Sequence, residues 1–411
     1  MDSFKVSLYL TGLLSVFYIL IRQYLGKNTS ITVIIVLLFL MVTPGFLIDL
    51  QNVYFWGEVG IHNLTLFLGL LILTTIPWIS FDKWYSKYGS IAVTDKGAAI
   101  LSSVFKVVIF SCVLSYIYIA PYAIKSFAIG AADIRGQLGD ISVLPNSIVT
   151  TFAVAISTIS PFYIFFFFLS WLHPRLRRYS KWLFFCSFIY IVVSMPFMAR
   201  DGFVVLPVFF MIFYLLFRKS LSQADHKKVK KYFTVVVVLA GALLLVYSIS
   251  RFYEKSSTSA SEEFLSGTWG YLFQQPYVFD RTITLQEHWH GYNLRFPILS
   301  FLDNSAPMEV VRDQDFETMF GTMLSEFYSI GGYWSLYVFT FGFIFIYYIG
   351  LKINIMNRNI FAIFMFFITY LMIEVTGLFY FRYGGISFNY FFLFLTILPV
   401  FLPRNILTIK K

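Results

Sequence analysis

Arg200-Asp201-Gly202 divides two apolar runs, 183–199 and 203–217, and is the sharpest chemical signal in the chain. An arginine between two such runs is costly to place near lipid, and its planar fork suits bidentate phosphate binding. The plain alternative is a surface arginine paired with Asp201, its stem snorkelling to the headgroups. Asp133 and Arg135 occupy a second polar connection, where a solvated ion pair competes with a role in substrate binding. A third group runs from Arg281 to His290. Helical spacing places Arg281, Leu285 and His288 on one face, with Thr284 one turn from His288. A guanidinium and an imidazole so placed would hold an anionic leaving group and manage a proton. An interfacial amphipathic helix anchored by Trp289 has the same pattern. Arg295, just before Phe296-Pro297, is a further candidate for the same anion.

Two carboxylate features follow. Glu374 lies inside an apolar run about two turns from Arg382, and an intramembrane carboxylate is a functional hypothesis by default. A structural pair with Arg382 or with a neighbouring helix is the competing reading. Asp313-Gln314-Asp315 has the form of a cation-holding Asp-x-Asp, yet nothing near it completes a coordination shell, so no metal is expected. Cys112 and Cys186 both fall inside apolar runs, which argues against a disulfide framework, a zinc site or an iron–sulfur cluster. No phosphate-binding glycine loop or dinucleotide turn is present, and no cofactor is implied.

The elements that must position these residues are membrane helices. Of 411 residues, 58% are hydrophobic and 13% charged, against about a quarter charged in a soluble domain. Apolar runs at 6–22, 31–49, 63–80, 98–120, 147–170, 183–199, 203–217, 232–250, 333–351, 360–380 and 387–402 predict about eleven spans. Each must be helical, because lipid offers backbone groups no partner. The fold class is therefore an all-α, polytopic membrane bundle. The first run lacks a small-residue cleavage site and reads as a retained span.

Charge sets the sidedness. The connections at 22–27, 83–96, 175–181, 218–231, 352–358 and 404–411 carry twenty lysines and arginines. The short connections between them carry five: Lys5, Lys125, Arg135, Arg200 and Arg382. The positive-inside rule makes the first set cytoplasmic, with the N-terminus outside and the C-terminus inside. Basic residues spread through short loops are topology signals, so no nucleic-acid partner is expected. The chain then divides into eight spans over 1–250, a large exterior loop at 251–332, and three spans with a short cytoplasmic tail over 333–411. The loop's aromatic residues, Trp269, Tyr271, Phe273, Tyr277, Phe279, Trp289 and Tyr292 among them, predict interfacial helices resting on the membrane.

An arginine followed closely by glycine at a span–span turn, a basic exterior loop after the fourth or fifth span, and a large aromatic exterior loop together suggest a known layout. With Gly321-Thr322-Met323-Leu324-Ser325-Glu326-Phe327-Tyr328-Ser329-Ile330-Gly331-Gly332 opening the next span, the chain resembles the Wzy-type O-antigen polymerases over its whole length. It departs from them at Ser329-Ile330-Gly331, where members commonly carry an Asn-aromatic-Gly step. The resemblance implies an enzyme of the bacterial cytoplasmic (inner) membrane that acts at the exterior face. Such an enzyme transfers a growing glycan from undecaprenyl pyrophosphate to a new lipid-linked repeat unit. It implies lipid-linked oligosaccharides as partners, with a chain-length regulator as a further one, and it maps pyrophosphate and glycan binding onto Arg135, Arg200, Arg281 and Arg295. Fixed guanidinium groups in a water-poor site would stabilise the departing pyrophosphate. Glu326, His288 and Glu374, in that order, are the candidate bases for the acceptor hydroxyl. The rival readings are a lipid-linked oligosaccharide flippase, an O-antigen ligase, and a polyprenyl-phosphate-sugar transferase using Asp49 or Glu58.

Overall fold

The computed structural model describes residues 2–26, 29–47, 59–88, 90–129, 144–145, 147–197, 201–253, 274–284, 322–378, 403 and 405–410. In chain order the first half holds α1 (Ser3–Leu25), α2 (Thr32–Val42), α3 (Ile61–Thr74), α4 (Ile76–Ser86), β1 (Ser90–Val93), α5 (Asp95–Ile129), α6 (Ile148–Thr158), α7 (Ser160–Trp171) and α8 (Ser180–Ser187). Then come α9 (Ile189–Ser194), α10 (Asp201–Phe217), α11 (Gln223–Tyr253), α12 (Gln275–Thr284), α13 (Met323–Gly331), α14 (Tyr333–Met356), α15 (Ile360–Gly377) and β2 (Leu407–Lys410).

Six helices are long and apolar enough to cross a bilayer: Ser3–Leu25, Ile61–Ser86, Asp95–Ser126, Gln223–Val246, Tyr333–Met356 and Ile360–Gly377. The pair α6–α7, bent by 48°, makes up to seven among the described residues. The outer faces say what solvent surrounds them. On α5, Val107, Phe110, Leu114, Ile117 and Ile124 are each 48–70% exposed and recur at helical spacing. Such a stripe would cost about 25 cal/mol per Å² in water and costs nothing against acyl chains. The protein is a multi-pass helical membrane protein.

Each apolar run that the described residues cover is helical, but not every one is a single long helix. The run at 31–49 gives α2 and a 3₁₀ turn at Thr43–Phe46, because Pro44 lacks the N–H that would continue the helix. The run at 183–199 breaks into α8, α9 and a 3₁₀ turn at Met195–Phe197 containing Pro196. The run at 63–80 is a span broken at Thr75, with Pro77 just beyond. The run at 387–402 lies outside the described residues.

The contacts gather the chain into two units that do not follow sequence order. One comprises Met1–Tyr85, Leu265–Asn357 and Ile363–Phe401; the other comprises Ser86–Phe264, Arg358–Ala362 and Leu402–Lys411. In the first, α4 and α15 run antiparallel. Phe81 stacks on Phe367 with centroids 3.7 Å apart, and Trp78 meets Tyr370 edge-on at 6.5 Å. Gly350 of α14 lets the Phe366 ring reach its backbone, since a Cβ there would sit 2.1 Å from Phe366 Cζ. At the end of the same unit, Asp82 accepts Ser30 Oγ–H at 2.7 Å and Ile31 N–H at 2.8 Å, capping the start of α2 from another helix.

In the second unit, every residue of α7 is buried, and its phenylalanines meet those of α10: Phe168 stacks on Phe217 at 5.5 Å and Phe167 lies 5.7 Å from Phe210. Basic connections that the charge pattern puts on one side are joined here. His173 meets Asp95 at 3.2 Å, Arg177 meets Asp225 at 2.5 Å, and Ile91 N–H donates to Ser220 Oγ at 3.0 Å. The antiparallel pair β1–β2, in register from Ser90↔Lys410 to Val93↔Leu407, ties the chain's last residues to the same end. The connections near 90–95, 173–177, 220–225 and 405–410 therefore share one end of this unit.

Candidate functional site

The exposed start of α3 meets one buried carboxylate of the first unit, Asp280. Gly60 caps that helix with an extended backbone and has no side chain to satisfy the orphan N–H groups. Asp280, on α12, satisfies one of them. Its Oδ1 accepts Gly60 N–H at 3.1 Å and Asn63 Nδ2–H at 2.8 Å. A carboxylate at a helix N-terminus also meets the positive end of the helix dipole. Phe279 packs on Phe67 with centroids 5.2 Å apart, so α12 is fixed to α3 by one polar and one apolar contact. The hydroxyls of Thr282 and Thr284 turn back to Val278 O (2.7 Å) and Asp280 O (2.8 Å). Arg281, next to the buried Asp280, is exposed.

Helix α13 packs against α12 and reaches the end of α15, where Met323 fills the space that a Cβ on Gly377 would need. Thr322 and Ser325 are buried, and neither hydroxyl has a hydrogen-bond partner among the described residues. Gly332 then breaks α13 from α14 with φ 71° and ψ −149°, a conformation open essentially to glycine alone. Ser335 Oγ secures the break by donating to Phe327 O at 2.6 Å or Gly332 O at 2.9 Å. The Gly331-Gly332 step at the foot of the long connection is thus a hinge between a short helix and a span. Gln274, Gln275, Asp280, Thr322 and Ser325, on or just before α12 and α13, are buried, whereas Arg281 is exposed.

Glu374 lies within α15, one turn before Gly377, and its side chain is 0% exposed. Thr74 Oγ1 is 2.8 Å from its Oε1, while Oε2 has no hydrogen-bond partner among the described residues. Thr74 is the last residue of α3. Its freed carbonyl receives the Tyr370 hydroxyl at 2.7 Å, so two residues of α15, one turn apart, clasp the break in the Ile61–Ser86 span.

Of the residues singled out from the sequence, Arg281, Glu326 and Glu374 fall on α12, α13 and α15; α12 packs on α13, and Met323 of α13 meets Gly377 of α15. Arg135, Arg200, His288 and Arg295 lie outside the described residues, as do Asp313, Asp315 and Arg382. Gly202 packs tightly on α9, where a Cβ would stand 2.9 Å from Ser194 Oγ and 3.3 Å from Ile191 Cα, so a glycine follows Asp201 for a packing reason. Sequence reasoning missed Asp280, Asn63, Thr74 and Tyr370. Thr74-Thr75-Ile76-Pro77 inside an apolar run was a legible break signal. Among the described residues, no three His, Cys, Asp or Glu side chains converge as a metal site. The chain matches no family model, no curated protein and no solved structure.

Proposed function

We propose that the protein is a membrane glycosyltransferase of the O-antigen polymerase type, joining lipid-linked oligosaccharide repeat units at the exterior face of the bacterial cytoplasmic membrane. In this reading the chain makes about eleven spans, with 251–332 outside. The donor is a glycan on undecaprenyl pyrophosphate, and the acceptor is a hydroxyl of the next lipid-linked unit. The glycosyl–pyrophosphate bond is already activated, so attack by the acceptor oxygen expels the pyrophosphate, and the arginines neutralise the charge that develops on it. Glu326 takes the acceptor proton. The observation that carries the reading is Arg281, an exposed residue on α12, which packs against α13, the helix that bears Glu326.

A strain lacking the gene separates the readings by its surface polysaccharide. Loss of a polymerase caps the lipid with a single repeat unit. Loss of a ligase leaves none and accumulates carrier-linked polymer, and loss of a flippase retains single units inside. In the same assay Arg281→Ala and Arg200→Ala should abolish long chains while the protein stays folded in the membrane, and lysine should restore only part of the activity, because a point charge lacks the fork. Normal chain lengths in both alanine variants would remove the arginines from the site.

A flippase is the second reading, favoured by one observation. A span broken near its middle, with a buried carboxyl at the break, is an arrangement that transporters use for coupling.

A further inference from the structure

We infer that Glu374 is a proton-binding site at the break in the Ile61–Ser86 span, holding a proton that it shares with Thr74 Oγ1. The inference rests on hydrogen-bond accounting and is independent of the donor chemistry proposed above. Thr74 has one hydroxyl proton and two oxygens in reach: Leu71 O at 2.7 Å and Glu374 Oε1 at 2.8 Å. In an unbroken helix Leu71 O would receive the N–H of Thr75. Here that N–H turns to Ile72 O at 3.1 Å, because the helix ends at Thr74. The Thr74 hydroxyl is what remains to satisfy Leu71. Glu374 then faces a hydroxyl oxygen whose proton is already committed, and a carboxylic acid donating to that oxygen completes the set.

The surroundings agree. The carboxyl is fully buried, and no described lysine or arginine forms an ion pair with it. The titratable neighbours among the described residues are phenols: Tyr370, committed to Thr74 O, and Tyr347 on α14, whose ring meets that of Tyr370 at 5.5 Å. Thr74 stands thirteen residues from one end of the Ile61–Ser86 span and twelve from the other, about 20 Å of helix either way. An unpaired charge that far from water is far costlier than a neutral acid. Proton and break are thereby linked. If Glu374 gave up its proton, the Thr74 hydroxyl would have to turn to the carboxylate, leaving Leu71 O unpaired at the break.

Infrared spectroscopy of the full-length protein in lipid nanodiscs at neutral pH tests this. The spectrum of the native protein minus that of Glu374→Gln should show the carbonyl stretch of a protonated carboxyl, moving to lower frequency in D₂O. Thr74→Val should shift that band to higher frequency by removing its hydrogen-bond partner, and Thr74→Ser should leave it nearly in place. Carboxylate stretches in place of the carboxyl band would overturn the inference. Should Glu374→Gln fail to fold, the native protein minus Thr74→Val reads the same group. A shifted carboxyl band there supports the site, and an unchanged carboxyl region refutes it.

Discussion

Replacing Asp280 by alanine removes the acceptor for two donors at the start of α3, Gly60 N–H at 3.1 Å and Asn63 Nδ2–H at 2.8 Å. Hydrogen bonds to charged groups contribute about 1.5–3 kcal/mol each, and losing an N-terminal cap costs about 1 kcal/mol. The two bonds share one oxygen, and the helix end gains some water in the variant, so the contributions do not add. The net expectation is roughly 2–3 kcal/mol, confined to the contact of α12 with α3. Amide hydrogen exchange of the full-length protein in nanodiscs reads this locally. Protection of residues 61–66 and 275–284 should fall by roughly 30- to 150-fold, while α7, buried in the other unit, keeps its own. Asp280→Asn keeps an oxygen for both donors and loses only the charge, so its effect should be about a third as large in free energy. Equal exchange in the native and alanine proteins over 61–66 would refute the reasoning, because it would mean that water or another group caps α3 as well as Asp280 does.

Other sites offer independent checks. A Cβ on Gly97 would stand 2.2 Å from Ile406 O and 2.8 Å from Ile406 Cα, so Gly97→Ala should dislodge β2, and limited trypsin digestion should then release the C-terminal residues faster than from the native protein. Gly350→Ala drives a methyl into the buried Phe366 ring and should destabilise the α14–α15 contact by about 1–3 kcal/mol, seen as a lower midpoint of thermal inactivation in detergent. Cys112 and Cys186 are free, fully buried thiols, with Cys112 Sγ 3.8 Å from Cys186 O. Both should resist a membrane-permeant maleimide in the folded protein and react promptly in SDS, and rapid labelling of either in the native state would contradict their burial.

What composition and periodicity determined was the solvent and the secondary structure. Apolar runs too long for anything but membrane helices specify themselves, since every backbone group in lipid must be paired within its own segment. The charge pattern carried further, because the basic connections near 90, 175, 220 and 410 share one end of the second unit through His173–Asp95, Arg177–Asp225 and the β1–β2 pair. Proline marked the breaks at Pro44, Pro77 and Pro196, which a hydropathy window averages away.

Which helices would be neighbours was decided by tertiary packing alone. Hydropathy treats each span as a cylinder in lipid and holds no term for its partner, so nothing in the order of spans joins residues 60 and 280, or 74 and 374. Asp280 reads in the sequence as one acid among eleven in a long polar connection; only the approach of α12 to the uncapped start of α3 makes it a cap. Glu374 was visible as a carboxylate in an apolar run, but its partner was not. A threonine three hundred residues away can be found only once the chain has folded.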